Sequence, residues 1–164
     1  MIVPVTAGGS SIPEVQALLT VLASGRKRAA ELGAAFGEGA VAIASGLAAG
    51  GTLVTVEHDP ERARIAREAL AGHDGVSVLE GGWWEQLSPL APFDFLFVDV
   101  HQAKTDPRVL DLAEPGSLFV LDDLTPGRAG PDPVREFWLA HPRLAASEIL
   151  TTPQTAAIVA ARLR

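Results

Sequence analysis

Residues 27–58 read KRAAELGAAFGEGAVAIASGLAAGGTLVTVEH. Two apolar runs, Lys27–Leu32 and Thr52–Glu57, flank a glycine-punctuated turn at Gly33–Gly39 and an Ala-rich stretch, Ala40–Ala49, that Gly50 and Gly51 stop. The second run, TLVTVE, is β-branched and apolar, which marks a strand. Ala40–Ala49 favours a helix, and glycines close helices. Strand, turn, helix and strand in that order form the crossover unit of a parallel sheet.

The same rhythm continues on both sides. Upstream, residues 12–24 carry Val15, Leu18, Leu19 and Leu22 at helical spacing behind Pro13, and Gly25 ends the run. Downstream, Asp59 and Pro60 open a helix that closes at Gly72, with Asp59 placed to cap it. Val76–Leu79 is a short strand, Trp83–Leu90 a short helix or turn, and Phe93–Val98 (FDFLFV) a buried strand ending at Asp99. Residues 106–113 read as a weak helix, and Glu114-Pro115-Gly116 as a turn before the strand Ser117–Leu121. Pro133–Ala140 reads as a helix, and Leu144–Leu150 and Thr155–Leu163 as two closing strands. The sum is an α/β chain with about seven strands, mostly parallel, helices on both faces, and a final hairpin that adds an antiparallel strand.

Composition narrows the function classes. A chain of 164 residues fits one domain over 1–164 and can bury a sizeable core unaided. It has no Cys, which excludes disulfides, thiolate zinc sites and a cysteine nucleophile, and suits a cytoplasmic setting. The formal charge of −7 and a pI near 5.0 disfavour nucleic acid and favour a small-molecule partner. The one basic run, Arg26-Lys27-Arg28, reads as a solvated strand entry. Met1–Val5 is apolar but short and lacks a preceding charged region, so it reads as no signal peptide. No run approaches the ~20 apolar residues of a membrane span.

Ligands of open α/β sheets bind outside the carboxyl ends of the strands. Here those ends carry Glu31 and Gly33, then Glu57, His58 and Asp59, then Glu80, Gly81 and Gly82, then Asp99, then Asp122 and Asp123. Charged groups beside a core are costly unless paired or used. The glycine turn lets a ligand approach the backbone, and a carboxylate at Glu57 can accept both hydroxyls of a ribose. Turn and acid together point to a nucleoside-containing cofactor. A dinucleotide fingerprint would read Gly-x-Gly-x-x-Gly; Gly33, Gly37 and Gly39 do not, and Glu38 would oppose a pyrophosphate.

The segment AELGAAFGEGAVAIASGL resembles the first motif of class I S-adenosylmethionine-dependent methyltransferases, and more closely that of the catechol O-methyltransferase-like, metal-dependent O-methyltransferases. TLVTVEHDPERARIAREAL, VSVLEGGWWEQL, FDFLFVDV and GSLFVLDDL are similar to that family's later motifs, in order, so the likeness runs from about residue 12 to residue 123. It implies a Rossmann-like fold with S-adenosylmethionine as cofactor. Glu31, Gly33, Gly37 and Gly39 would stand at the methionine end, Glu57 with its neighbour His58 at the ribose, and Gly81, Gly82 and Trp83 beside the adenine. Asp99 would border the cofactor, and with Asp122 and Asp123 would ligate Mg²⁺ or another divalent cation, to which oxygen donors are suited.

This chain departs from the family pattern in four places. Gly39 replaces a small hydroxyl residue, so that contact is lost or moves to the backbone. Asp123 replaces Asn. The family's Lys three residues past the strand-four Asp is Gln102 here, which leaves His101 and Lys104 as candidate bases. Only one short helix precedes the first strand, where the family has extra helices that cover the site and build a homodimer. The expected activity is O-methylation of a small hydroxylated molecule with metal assistance. The alternatives are a non-catalytic module that binds or senses S-adenosylmethionine with a partner, and a nicotinamide-dependent enzyme, which the first turn disfavours.

Overall fold

The computed structural model describes residues 11–164. The Met1–Val5 stretch lies outside the described residues. In chain order come α1 (Pro13–Ala23), β1 (Arg28–Leu32), α2 (Glu38–Gly46), β2 (Thr52–Glu57), α3 (Pro60–Leu70), β3 (Val76–Glu80), α4 (Trp83–Leu87), β4 (Phe93–Val98), β5 (Ala113–Leu124), α5 (Pro133–Ala140), β6 (Leu144–Thr152) and β7 (Thr155–Arg162). The seven strands form one sheet in the order β3-β2-β1-β4-β5-β7-β6. The first five are mutually parallel, and β7 runs antiparallel between β5 and β6. The order reverses beside β1, so the crevice between the ends of β1 and β4 is the natural ligand position.

Both faces of the sheet are covered. On one, Val15 and Leu19 of α1, Ile43 of α2 and Ala66 and Leu70 of α3 pack on Leu53, Phe95, Phe97 and Val120. On the other, Trp138 of α5 and Leu87 of α4 pack on Leu32, Leu96, Phe119 and Ile158. This double cover explains why β4 reads as an unbroken apolar run rather than an alternating one. None of the helices among the described residues is long and apolar enough to cross a membrane.

Two expectations shift. The weak helix over 106–113 is instead a 3₁₀ turn, Pro107–Leu112, tighter than an α-helix, and another 3₁₀ turn, His101–Thr105, precedes it. The turn at Glu114–Gly116 is taken up inside β5, which slips register against β4 there. The Ser117 hydroxyl accepts from the Glu114 N–H (3.1 Å) and donates to the Phe93 carbonyl (2.8 Å), fastening the irregularity into the ladder. The basic run sits at the opposite edge from the strands' carboxyl ends. There Asp94 accepts the N–H groups of Lys27 and Arg28, and the Arg28 side chain donates to the carbonyls of Leu90 and Pro92.

Candidate functional site

The five parallel strands bring their carboxyl ends to one edge, where a cleft of about 600 Å³ opens. Ligand pockets of small-molecule proteins have this size. Of the residues singled out in the sequence, Gly33, Glu57, His58, Gly81, Gly82, Trp83, Asp99, His101 and Asp123 line it. Glu31, Gly37, Gly39, Lys104 and Asp122 do not.

Gly33 starts the turn with φ of +98°, and a Cβ there would come within 3.3 Å of the Asp99 carbonyl oxygen and a Val100 methyl. The chain can therefore pass close to the β4 end only without a side chain. Beyond the turn, the Glu57 carboxylate, 4% exposed, is fixed from two sides. It accepts the Ala35 N–H on one oxygen and the Asp59 N–H on the other, each at 3.0 Å, with His58 Nδ1 at 3.1 Å. A carboxylate has about four acceptor positions; the two N–H bonds leave two, one of them on the oxygen that His58 Nδ1 approaches. Asp59 also caps α3 by accepting from the Arg62 N–H, as its place before Pro60 suggested.

Glu31 serves a different place. It is 1% exposed on the sheet face toward α2, where the Thr55 hydroxyl donates to it. Burial pushes its carboxyl up to about 8. A Cβ at Gly39 would collide with Glu31 Oε1, so Gly39 is small because the Glu31 carboxyl fills the space above it. Gly37 caps α2 in a left-handed conformation with its missing side chain toward Ala69. These three residues build the floor under the turn rather than the wall of the cleft.

The far wall is aromatic. Trp83 meets Trp84 edge to face with ring centroids 5.8 Å apart. The Arg108 guanidinium lies 5.5 Å from the Trp83 centroid and 5.2 Å from that of Trp84, steadied by Asp106. Arg108 supports Trp83 without lining the cleft itself, and it was not legible in that role because it arrives from the 3₁₀ turn Pro107–Leu112. Arg62 also borders the cleft. Its place in the first turn of the helix after Glu57 was the available signal.

Beside the cleft lies a second, smaller hollow of about 200 Å³. Asp99, His101 and Asp123 border both spaces. The hollow also reaches Lys104, Asp122, Thr125 and Arg128, of which the last two went unnoticed in the sequence because they lie in the loop between β5 and α5. Asp99, Asp122 and Asp123 each bring a carboxylate oxygen within 4.8 Å of the others. Burial pushes the Asp99 carboxyl up and the Asp122 charge adds to this; Asp122 is raised as well, by burial first and the Asp123 charge second. Asp123 holds a left-handed backbone, φ +62°, a conformation that Asp and Asn tolerate better than other side chains.

Three hard oxygen donors would by themselves suit a divalent ion. They are not by themselves. Lys104, 6% exposed, places Nζ 3.7 Å from Asp99 Oδ1, 3.9 Å from Asp122 Oδ1 and 3.9 Å from Asp123 Oδ2. It also donates to the Asp122 carbonyl at 3.0 Å. A divalent ion bridging the three carboxylates would crowd a second cation into the same few oxygens, so the set as folded does not fit one.

Comparison with known proteins bears on the family and the fold. A family model described as a methyltransferase domain matches residues 30–124. The chain belongs to that methyltransferase-domain family. This methyltransferase-family chain is 32% identical over 140 residues to a Mycobacterium ulcerans protein provisionally named an O-methyltransferase, across 78% of its own length and 62% of the relative's. It thus spans less than two thirds of the relatives it matches. A cofactor-bound Mycobacterium tuberculosis structure superposes with a TM-score of 0.81 at 27% identity, covering 94% of this chain and 83% of that one. A Bacillus cereus O-methyltransferase in complex with SAH superposes at 0.78 and 24% identity, over 96% and 84%, which shows the fold. The likeness to class I S-adenosylmethionine-dependent methyltransferases therefore holds for family and for fold.

Proposed function

We propose that this chain moves a methyl group from S-adenosylmethionine to a hydroxyl oxygen of a small molecule, with residues 1–164 acting as one methyltransferase domain. The observation that carries the reading is the pair of adjoining spaces, a large cleft and a small hollow, sharing Asp99, His101 and Asp123 as their boundary. A transfer reaction needs two partners held face to face, and such positioning supplies much of the rate.

In this reading Gly33 admits the cofactor to the backbone, Glu57 accepts the ribose hydroxyls with its two remaining acceptor positions, and Gly81, Gly82 and Trp83 flank the base. His58 stands beside Glu57 at the rim. Bound S-adenosylmethionine supplies an electrophilic methyl on a sulfonium. The hollow holds the acceptor so that its oxygen faces that methyl. His101, at the boundary, takes the hydroxyl proton as the new C–O bond forms and the S–C bond breaks. Lys104, sequestered among three carboxylates, orders the cluster instead of taking the proton. The magnesium that the resemblance implies at Asp99, Asp122 and Asp123 takes no part in this reading, because Lys104 already stands among those carboxylates. The family resemblance also supports a homodimer, and the absence of Cys supports a cytoplasmic setting; both stand as proposals.

Calorimetric titration with S-adenosylmethionine, its demethylated product and NAD⁺ tests the cofactor. Micromolar binding of the first two and none of the third is the expected result; no binding of either overturns the reading. Binding with no transfer to any of a panel of hydroxylated acceptors would favour the non-catalytic module.

A further inference from the structure

We propose that the Lys104 ammonium is the resident cation of the Asp99–Asp122–Asp123 cluster, so that the folded chain binds no divalent metal there. The inference stands on side-chain placement and does not depend on the identity of the methyl acceptor.

The turn geometry and two hydrogen bonds put the ammonium where it is. The His101–Thr105 turn is 3₁₀, with three residues per turn, so His101 and Lys104 fall on the same face and both reach the small hollow. The Lys104 carbonyl accepts the indole N–H of the fully buried Trp138 at 2.7 Å, which pins the turn to the core. Its Nζ donates to the Asp122 carbonyl, which orients the side chain inward. Long cationic side chains normally keep their heads in water. Lys104 is instead 6% exposed and nearly equidistant from three carboxylates.

The cluster in turn needs a cation. Asp122 Oδ1 is buried and accepts no hydrogen bond among the described residues. Lys104 Nζ, 3.9 Å away, lies within ion-pair distance of it. A buried charge without a partner is costly, and removing one partner of such a set is more damaging than never having had it. The spacing is also informative. With Gln102 three residues past Asp99, the side chain at that position borders the larger cleft, and the cation comes from two residues further on.

The test is metal binding rather than turnover. Chelator-stripped protein is titrated with Mn²⁺ and Mg²⁺ by calorimetry and followed by thermal melting. The wild-type chain is expected to give no saturable heat and an unchanged melting temperature. Lys104→Met, which keeps an unbranched side chain and removes the charge, is expected to gain saturable Mn²⁺ binding at least about tenfold tighter than any in wild type, with a metal-dependent rise in melting temperature. Saturable binding of either ion by the wild-type chain overturns the proposal, as does a folded Lys104→Met that gains none. Should Lys104→Met fail to fold, the double variant Lys104→Met/Asp122→Asn separates the causes. Recovery of folding without metal binding supports charge compensation by Lys104, and if neither variant folds, the wild-type titration alone decides.

Discussion

The two halves of the site are built by different means. At the ends of β1 and β2 the key carboxylate, Glu57, is set by backbone: the N–H groups of Ala35 and Asp59 hold it, and both lie in turns that the local sequence specifies. At the ends of β4 and β5 the carboxylates are set by side chains, with Lys104 among them and Trp138, 34 residues further along the chain, holding the turn that carries Lys104. A site made by backbone follows from strand and turn signals. A site made by side chains depends on which residue of a turn points inward, and that is decided by packing. The first half should therefore answer to single local changes, and the second to changes in the core.

The largest effect is expected beneath the β1–β2 half. Glu31 carries a carboxyl raised from 4.5 to about 8 by burial. The folded state thus binds its proton more tightly than the unfolded state. The stabilisation is complete below pH 4.5 and is lost as the pH rises through 8. At up to about 1.4 kcal/mol per pH unit, the loss reaches several kcal/mol over that window. Glu31→Gln is neutral at every pH and should melt progressively higher relative to wild type as pH is raised across it. Parallel melting curves at all pH values would show that the buried carboxyl is ionised in the folded chain and that the turn does not rest on a neutral group.

Next comes Glu57→Ala. A hydrogen bond to a charged group contributes about 1.5–3 kcal/mol, so affinity for S-adenosylmethionine should fall by roughly tenfold or more. Calorimetry on the folded variant reads this directly, and unchanged affinity refutes the ribose role. On the other half, Trp138→Phe keeps an aromatic ring in the core but strips the Lys104 carbonyl of its donor. A buried acceptor left unpaired costs about 1–3 kcal/mol, so denaturant unfolding should show a loss in that range. Cofactor affinity should stay near wild type while methyl transfer falls. If cofactor affinity falls as much as transfer, the two halves are one mechanical unit and the contrast between them fails.

That contrast also explains what the sequence disclosed. TLVTVE and FDFLFV are covered on both faces, so their strand character needs no knowledge of partners, and Glu57 and Asp99 follow as strand ends. Gly39 was visible as a departure, but its cause was not: the space belongs to Glu31, which is eight residues away in sequence and beside it only after α2 folds back over β1. The cluster residues Asp99, Asp122 and Asp123 were legible as a group because strand ends converge. Lys104 was legible only as a nearby base, since no helix or strand signal covers residues 101–105 and the 3₁₀ turn that aims its side chain is set by packing.

The smallest expected effect sharpens the comparison most, because it falls where the larger cleft departs from its own rule. The wall at Trp83 is held by side chains: Arg108 stacks 5.5 Å from its ring and 5.2 Å from that of Trp84. Arg108 is exposed, and such a stack contributes about 0.5–1 kcal/mol. Arg108→Ala should therefore weaken cofactor binding roughly two- to fivefold, with unfolding stability within about 0.5 kcal/mol of wild type, as for surface changes generally. A loss as large as that of Glu57→Ala would mean that the Trp83 wall, rather than the backbone-held carboxylate, governs the cleft. The two sides of the site would then share one building principle: side chains brought in from distant turns, which strand-end signals do not reveal.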